Sequence, residues 1–253
     1  MLGAMVADAP IQRVALVTGG AKRVGAGIVR RLAAEGFNVA FTYHRSEKDA
    51  EALVDDLSYV YAGQRFLRIP ADLTDPETSV PEVHLSFTQQ FERLDVLVNN
   101  ASLYQPARLA DATVEQSRRL WAIHVEAPML LCRSFASLLR ASRGHVVNMV
   151  DLLAERPWPQ YLAYCASKAG TWNLTLGLAR ELAPEVTVNG IAPGVVEWPD
   201  DYPEEERQKY LKRVPLGRPG TPQDVAETVL FLCTGGSYMT GQVIRLDGGR
   251  SIT

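Results

Sequence analysis

The chain has 253 residues, 47% of them hydrophobic, which is enough for one large core and gives no reason to expect a second domain. A formal net charge of −3 excludes the broad basic surface that nucleic-acid binding requires, and three scattered cysteines, Cys132, Cys165 and Cys233, offer neither a disulfide framework nor a zinc spacing. Nowhere do 18 consecutive apolar residues occur, and the opening MLGAMVADAP lacks a basic start, so the reading is a soluble protein of the reducing cytoplasm, off the membrane, with a flexible leader at 1–10 and a single domain at 11–253.

Along the chain, apolar runs of strand length alternate with stretches of helical period. VALVTGG (14–20) precedes a helix over 25–36, NVAFTYH (38–44) a helix over 46–58, and RFLRIPADL (65–73) a helix over 76–91. LDVLVNNAS (94–102) precedes one long helix over 113–141, and HVVNMVD (145–151) a helix over 161–183. After VTVNGIAPG (186–194) comes the least regular part, 195–220, which contains EWPDDYPEEERQKY and reads as a lid or binding segment. A helix over 222–234 follows with a good start signal: Thr221 can cap, Pro222 fits the first turn and Asp224 favours the N-terminal dipole. QVIRLDGG (242–249) closes the series. This alternation predicts an α/β fold with a parallel sheet covered by helices on both faces.

The first strand runs directly into AKRVGAGIVRRLAAEG, a glycine-rich turn opening a helix. Gly19 and Gly20 permit a tight turn, Gly25 and Gly27 allow close packing, and the helix start attracts an anion, so a pyrophosphate belongs there; packing alone is the plainer explanation of such a corner. The second strand decides between them. An NAD-binding protein places an acid near its end for the ribose 2′-hydroxyl, whereas this strand ends Tyr43-His44-Arg45-Ser46. An arginine and a serine there would grip a 2′-phosphate, and Arg23 could reach the same group, which favours NADPH. Asp72 and Leu73 would lie beside the adenine, with Asn99, Asn100 and Ala101 where the cofactor crosses the sheet.

Tyr164 and Lys168 stand four apart on one helix and share a face. An ammonium about 5 Å from a phenol, at an effective dielectric near 20, favours phenolate by roughly 3 kcal/mol, about two pKa units. That would make the tyrosine a ready proton donor. Asp151 stands ahead of the pair in VDLLAERPWPQYLAYCASK.

Thr18-Gly19 with Gly25, Asn99-Asn100-Ala101, Tyr164 with Lys168, Pro193-Gly194 and the closing Leu246-Asp247-Gly248-Gly249 together resemble a short-chain dehydrogenase/reductase over about residues 11 to 250. The resemblance implies a single doubly wound, Rossmann-type domain with a seven-stranded parallel sheet flanked by helices, assembled as a homotetramer. Most members have Ser where this chain has Asp151 and Gly where it has Arg23. Those departures, with TGGAKRVG, YHRS, NNASLY, NMVD and RLDGG, resemble the pteridine reductase branch. That branch implies NADPH-dependent reduction of a dihydropterin or dihydrofolate to the tetrahydro form. Its site residues carry over as Asp151, Tyr164 and Lys168 for catalysis. The cofactor set is Gly19, Lys22, Arg23, Val24, His44, Arg45, Ser46, Asp72, Leu73, Asn100, Ala101, Ser102, Pro193 and Gly194, together with Tyr164 and Lys168. The substrate set is Ser102, Tyr104, Val195, Asp151 and Tyr164, with no metal.

An acid beside Tyr164 suits reduction of a pterin C=N bond, which needs a proton on ring nitrogen as well as hydride on carbon. Tyr104 could stack on the pterin or be an ordinary loop aromatic. His124 departs from the family's usual Asn. Pro128, four residues on, has no N–H for the carbonyl of residue 124, which leaves that carbonyl free to hold a water leading to Lys168; the plainer reading is that His124 fills a helix face. Two other functions remain open: a carbonyl reductase acting on 3-oxoacyl thioesters, and a regulator that senses NADPH without turnover. Retention of both Tyr164 and Lys168 speaks against the second.

Overall fold

Residues 12–198 and 202–253 are described by the structure, a computed structural model. The leader expected at 1–10 and residues 199–201 of the expected binding segment lie outside the described residues. Seven parallel strands form one sheet: β1 (Val14–Val17), β2 (Asn38–Tyr43), β3 (Phe66–Pro70), β4 (Val96–Asn99), β5 (His145–Met149), β6 (Thr187–Pro193) and β7 (Val243–Leu246). Their order is β3-β2-β1-β4-β5-β6-β7. Each expected strand is present but loses its last residues, which turn away from the sheet; those that follow the first six strands carry the candidate site.

The helices are α1 (Arg23–Ala34), α2 (Glu47–Val60), α3 (Pro76–Thr88), α4 (Val114–Trp121), α5 (Ala127–Ser142), α6 (Leu162–Glu181), α7 (Glu204–Leu211) and α8 (Pro222–Thr234). Alternation within β1 shows how they cover the sheet. Ala15 and Val17 face a layer that includes Ile28, Leu32 and Val229 of α1 and α8, while Val14 and Leu16 face one that includes Phe87 and Phe135 of α3 and α5. A strand packed on both faces must be apolar throughout, and VALV is fully buried. Each such large side chain contributes about 1.5–3 kcal/mol by leaving water.

Two segments differ from the sequence reading. The single helix expected over 113–141 is divided by a wider π turn, Ala122–Glu126, in which the Ala127 N–H reaches back to the Ala122 carbonyl. Pro128 contributes by removing a donor. The freed carbonyl of His124 takes a hydrogen bond from the Thr171 hydroxyl of α6 at 2.8 Å, which engages one of its two lone pairs. The run Val114–Ser142 is long and apolar enough to cross a membrane, but half of its most apolar window is buried inside the domain, as in a core helix. The irregular stretch 195–220 contains α7, whose start carries three successive glutamates that complement the helix dipole. At α8 the expected start signal forms a complete capping box between Thr221 and Asp224.

From β1 the chain winds outward to β2 and β3, then returns to place β4 on the other side of β1. That reversal opens a crevice beyond the carboxyl ends of β1 and β4, where doubly wound sheets bind ligands.

Candidate active site

The crevice forms a cavity of about 740 Å³. Every residue expected to bind cofactor or substrate or to take part in catalysis lies on its wall, from Gly19 and Arg45 to Tyr164, Lys168 and Val195. The β1–α1 corner is built for close approach: Gly19 has φ +63, and a side chain on Gly25 would put its Cβ 2.1 Å from the Gly19 carbonyl oxygen. The Asn100 side-chain amide donates to the carbonyls of Thr18 and Gly19, and the Thr18 hydroxyl accepts from the backbone N–H groups of Asn100 and Ala101. These bonds tie the ends of β1 and β4 into one rigid floor. A narrow backbone cradle at a helix start fits a pyrophosphate.

At the end of β2, His44 and Arg45 are exposed on the rim and Ser46 is half-buried beside them. Asp72 accepts from the Thr74 N–H and hydroxyl, which hold its carboxyl below the usual range against the opposing pull of burial. Its other oxygen lies 3.6 Å from His44 Nε2.

Arg23 departs from expectation. Its Nε donates to Glu197 at 2.7 Å, and it also donates to the Trp198 carbonyl at 3.4 Å, so it spans the mouth of the cavity toward the segment after β6 instead of lying with Arg45. The acid at 197 supplies the physical reason, and it was visible in the sequence only as one charge in an irregular stretch. Lys22 likewise pairs with Asp49 at 2.9 Å.

Asp151, Tyr164 and Lys168 converge. Asp151 follows β5 and caps a short 3₁₀ turn, its Oδ1 accepting from the Leu153 N–H at 2.8 Å. That leaves Oδ2 for the Tyr164 hydroxyl, which donates to it at 2.7 Å. When the carboxyl carries a proton, that proton belongs on Oδ2, facing the phenol. Burial raises the Asp151 carboxyl above the ordinary carboxylate range, with the Leu153 and Tyr164 hydrogen bonds and the Lys168 charge opposing.

Lys168 does not lower the phenol as its spacing from Tyr164 predicts. Its ammonium donates to the Met149 carbonyl at 2.7 Å and stands 5.8 Å from the centre of the Tyr164 ring. Tyr164 is pushed well above the usual phenol value, first by burial and then by the neighbouring Asp151. The expected two-unit fall is absent because burial and an adjacent carboxylate both disfavour phenolate. The phenol is therefore held protonated, while burial brings Lys168 down to about 8.

Tyr104 stacks on Tyr161 with ring centres 4.5 Å apart and meets Tyr164 edge-on at 4.9 Å. One of its faces is already covered by protein, so at most one remains for a ligand. The sequence reading missed the aromatic wall opposite: Trp158 and Trp198 both pack edge-on against Tyr210, and Trp198 also lies against Tyr202. The signal was present as Trp and Tyr recurring beside prolines in RPWPQY and EWPDDYP.

Comparison with known proteins agrees with this geometry. Residues 19–251 match the family described as enoyl-(acyl carrier protein) reductase. The chain is 33% identical to pteridine reductase 1 of Leishmania tarentolae, over 96% of this chain and 98% of that protein. It is 35% identical to the granaticin polyketide synthase putative ketoacyl reductase 2 of Streptomyces violaceoruber, over 97% and 98% respectively. The crystal structure of FolM alternative dihydrofolate reductase 1 from Brucella canis, complexed with NADP, superimposes with a TM-score of 0.85 at 32% identity, covering 95% of each chain. With its seven-stranded doubly wound sheet and these relatives along nearly its whole length, the chain belongs to the short-chain dehydrogenase/reductase family and is an oxidoreductase.

Proposed function

We propose that the protein uses NADPH to reduce a dihydropterin or dihydrofolate to its tetrahydro form. The observation that carries this reading is the 2.7 Å contact between Asp151 Oδ2 and the Tyr164 hydroxyl at the cavity wall. Reduction of a ketone and reduction of a C=N bond each take one hydride and one proton. For the C=N bond that proton goes to nitrogen as hydride reaches carbon, and a buried carboxyl behind Tyr164 can reload the donor. NADPH, when bound, supplies the hydride. Tyr164 gives the proton, Asp151 replenishes it, and Lys168 keeps positive charge beneath the site. The Gly19–Val24 corner, Asn100 and Ala101 would hold the pyrophosphate and central part of the cofactor, with Arg45 and Ser46 on the 2′-phosphate. Ser102, Tyr104 and Val195 would contact the substrate. Oxidation of NADPH followed with dihydrobiopterin, dihydromonapterin and dihydrofolate tests the reading; no turnover of any of the three refutes it.

A second reading has a specific basis, the 35% identity to a ketoacyl reductase. Reduction of a 3-oxoacyl thioester, with none of dihydropterins or dihydrofolate, would establish it instead. The proposed setting is a cytoplasmic single-domain protein assembled as a homotetramer, and Trp121 and Met129, each nearly half exposed on adjoining helical segments, would face a partner subunit. Sedimentation equilibrium decides the assembly.

Arg45→Asp is expected to weaken NADPH binding by roughly 10- to 100-fold, the loss of one charge-assisted hydrogen bond, and to leave NADH binding little changed. Fluorescence titration with both nucleotides reads this directly, and equal losses for the two would remove Arg45 from the phosphate site.

The Lys168 shift gives a pH prediction. Because its amine sits at about 8, the charge beneath the site is present below that pH and lost above it. Tyr164, pushed upward, does not titrate in the same window. The kcat/KM profile is therefore expected to fall on the alkaline side with an apparent pKa near 8. A profile flat to pH 10 would show that this charge takes no part.

A further inference from the structure

Behind the phenol is a buried histidine to which the chemistry above assigns no task. His124 is 2% exposed, and the π turn presents its ring edge-on to Tyr164, with ring centres 5.4 Å apart. Both ring nitrogens have partners. Nε2 lies 2.8 Å from the Ser102 hydroxyl and 3.4 Å from the Leu103 N–H, and Nδ1 lies 2.8 Å from the Ser167 hydroxyl.

The direction of every bond in this chain follows from two groups that have no choice. The Leu103 N–H can only donate, so Nε2 is the ring's acceptor. A neutral imidazole then carries its proton on Nδ1 and donates it to Ser167. The Ser167 proton is committed to the Tyr164 carbonyl, 2.7 Å away, which can only accept. The Ser102 hydroxyl is also within hydrogen-bonding reach of the Tyr164 phenol oxygen, but an accepting Nε2 2.8 Å away draws its one proton. Since Ser102 lies on the cavity wall, what it shows the cavity is lone pairs.

We propose that His124 is a positioning residue that turns the Ser102 hydroxyl inward, so that the cavity meets an acceptor, not a donor, at Ser102. A substrate bearing an N–H or amino group against Ser102 is favoured, and one presenting only a carbonyl there gains nothing. Burial and the nearby Lys168 charge keep the imidazole neutral, so one tautomer serves throughout the neutral range. The assignment rests on the hydrogen-bond chain and on proton donation by Tyr164; the tautomer itself does not depend on which substrate is reduced.

Nitrogen-15 NMR of the unmodified protein, labelled at histidine, tests the tautomer with no substrate present. The chain has 4 histidines, and His124→Gln identifies the pair of resonances to be read. The expected result is an unprotonated Nε2 and a protonated Nδ1 between pH 6 and 8; a protonated Nε2 overturns the proposal. Kinetics then tests the consequence. His124→Phe keeps the ring against Tyr164 and frees the Ser102 proton. With dihydrobiopterin it is expected to raise KM about tenfold, the effect of one lost hydrogen bond, with a smaller change in kcat. In a Ser102→Ala background the same substitution should add almost nothing. An undiminished tenfold effect there would show that His124 does not act through Ser102. If dihydrobiopterin is not turned over, the variants are read with dihydromonapterin or dihydrofolate; if none of the three is a substrate, the pterin reading fails, and the same pair is read with a 3-oxoacyl thioester, for which the proposal expects no rise in KM.

Discussion

Tyr164→Phe is expected to lower kcat for NADPH-dependent reduction by roughly 10²- to 10⁴-fold, the range for loss of a positioned proton donor, while leaving nucleotide binding within about twofold. The substitution is close to isosteric. The ring is held edge-on by Tyr104 and His124, contacts that a phenylalanine ring retains. What disappears is the hydroxyl 2.7 Å from Asp151 Oδ2. That hydrogen bond opposes the upward pull of burial on Asp151, so its loss should raise the carboxyl further and leave an acid with no phenol to reload. Steady-state rates alongside a thermal melt check both parts. A variant with more than a tenth of the parent rate and an unchanged melting temperature would remove Tyr164 from proton transfer.

Asp151→Ser separates the two candidate chemistries. Serine can accept the Leu153 N–H that now ends on Oδ1, so the 3₁₀ turn keeps its cap. It cannot hold and pass on a carboxylic proton. Dihydropterin reduction is expected to fall about 10²-fold, whereas reduction of a 3-oxoacyl thioester should hold steady or rise, because a hydroxyl still polarises a carbonyl. Assaying both substrates on parent and variant gives a ratio independent of enzyme concentration. Parallel losses on both would mean that Asp151 does not distinguish the two chemistries, and the pterin reading would lose its main support.

Much of the fold was legible because its signals are local. The VALV strand reads as buried on both faces by composition alone, and the Thr221–Asp224 cap is written in four successive residues. The convergence of Asp151 with Tyr164 was also accessible, since strand end and helix start are joined by a short connection. What the sequence concealed depends on distant partners. Arg23 is drawn off by Glu197, 174 positions away. The Tyr164 pKa was misjudged because a pairwise estimate with Lys168 leaves out burial, the largest influence on both groups. The aromatic wall comes from three separate segments, and α7 was hidden by the prolines before it and a polar composition with no strong apolar face.

The π turn at Ala122–Glu126 also has a meaning for how this chain could change. A turn that holds one residue more than an α-helix needs can give that residue up without breaking the backbone ladder, and each residue advances the helix by about 100°. Deleting one residue there would tighten the segment into ordinary helix and swing the imidazole away from Ser102 by roughly a quarter of a revolution. A single-codon deletion at this point thus offers a short mutational route to a different lining beside the tyrosine, with the sheet and the nucleotide corner left intact.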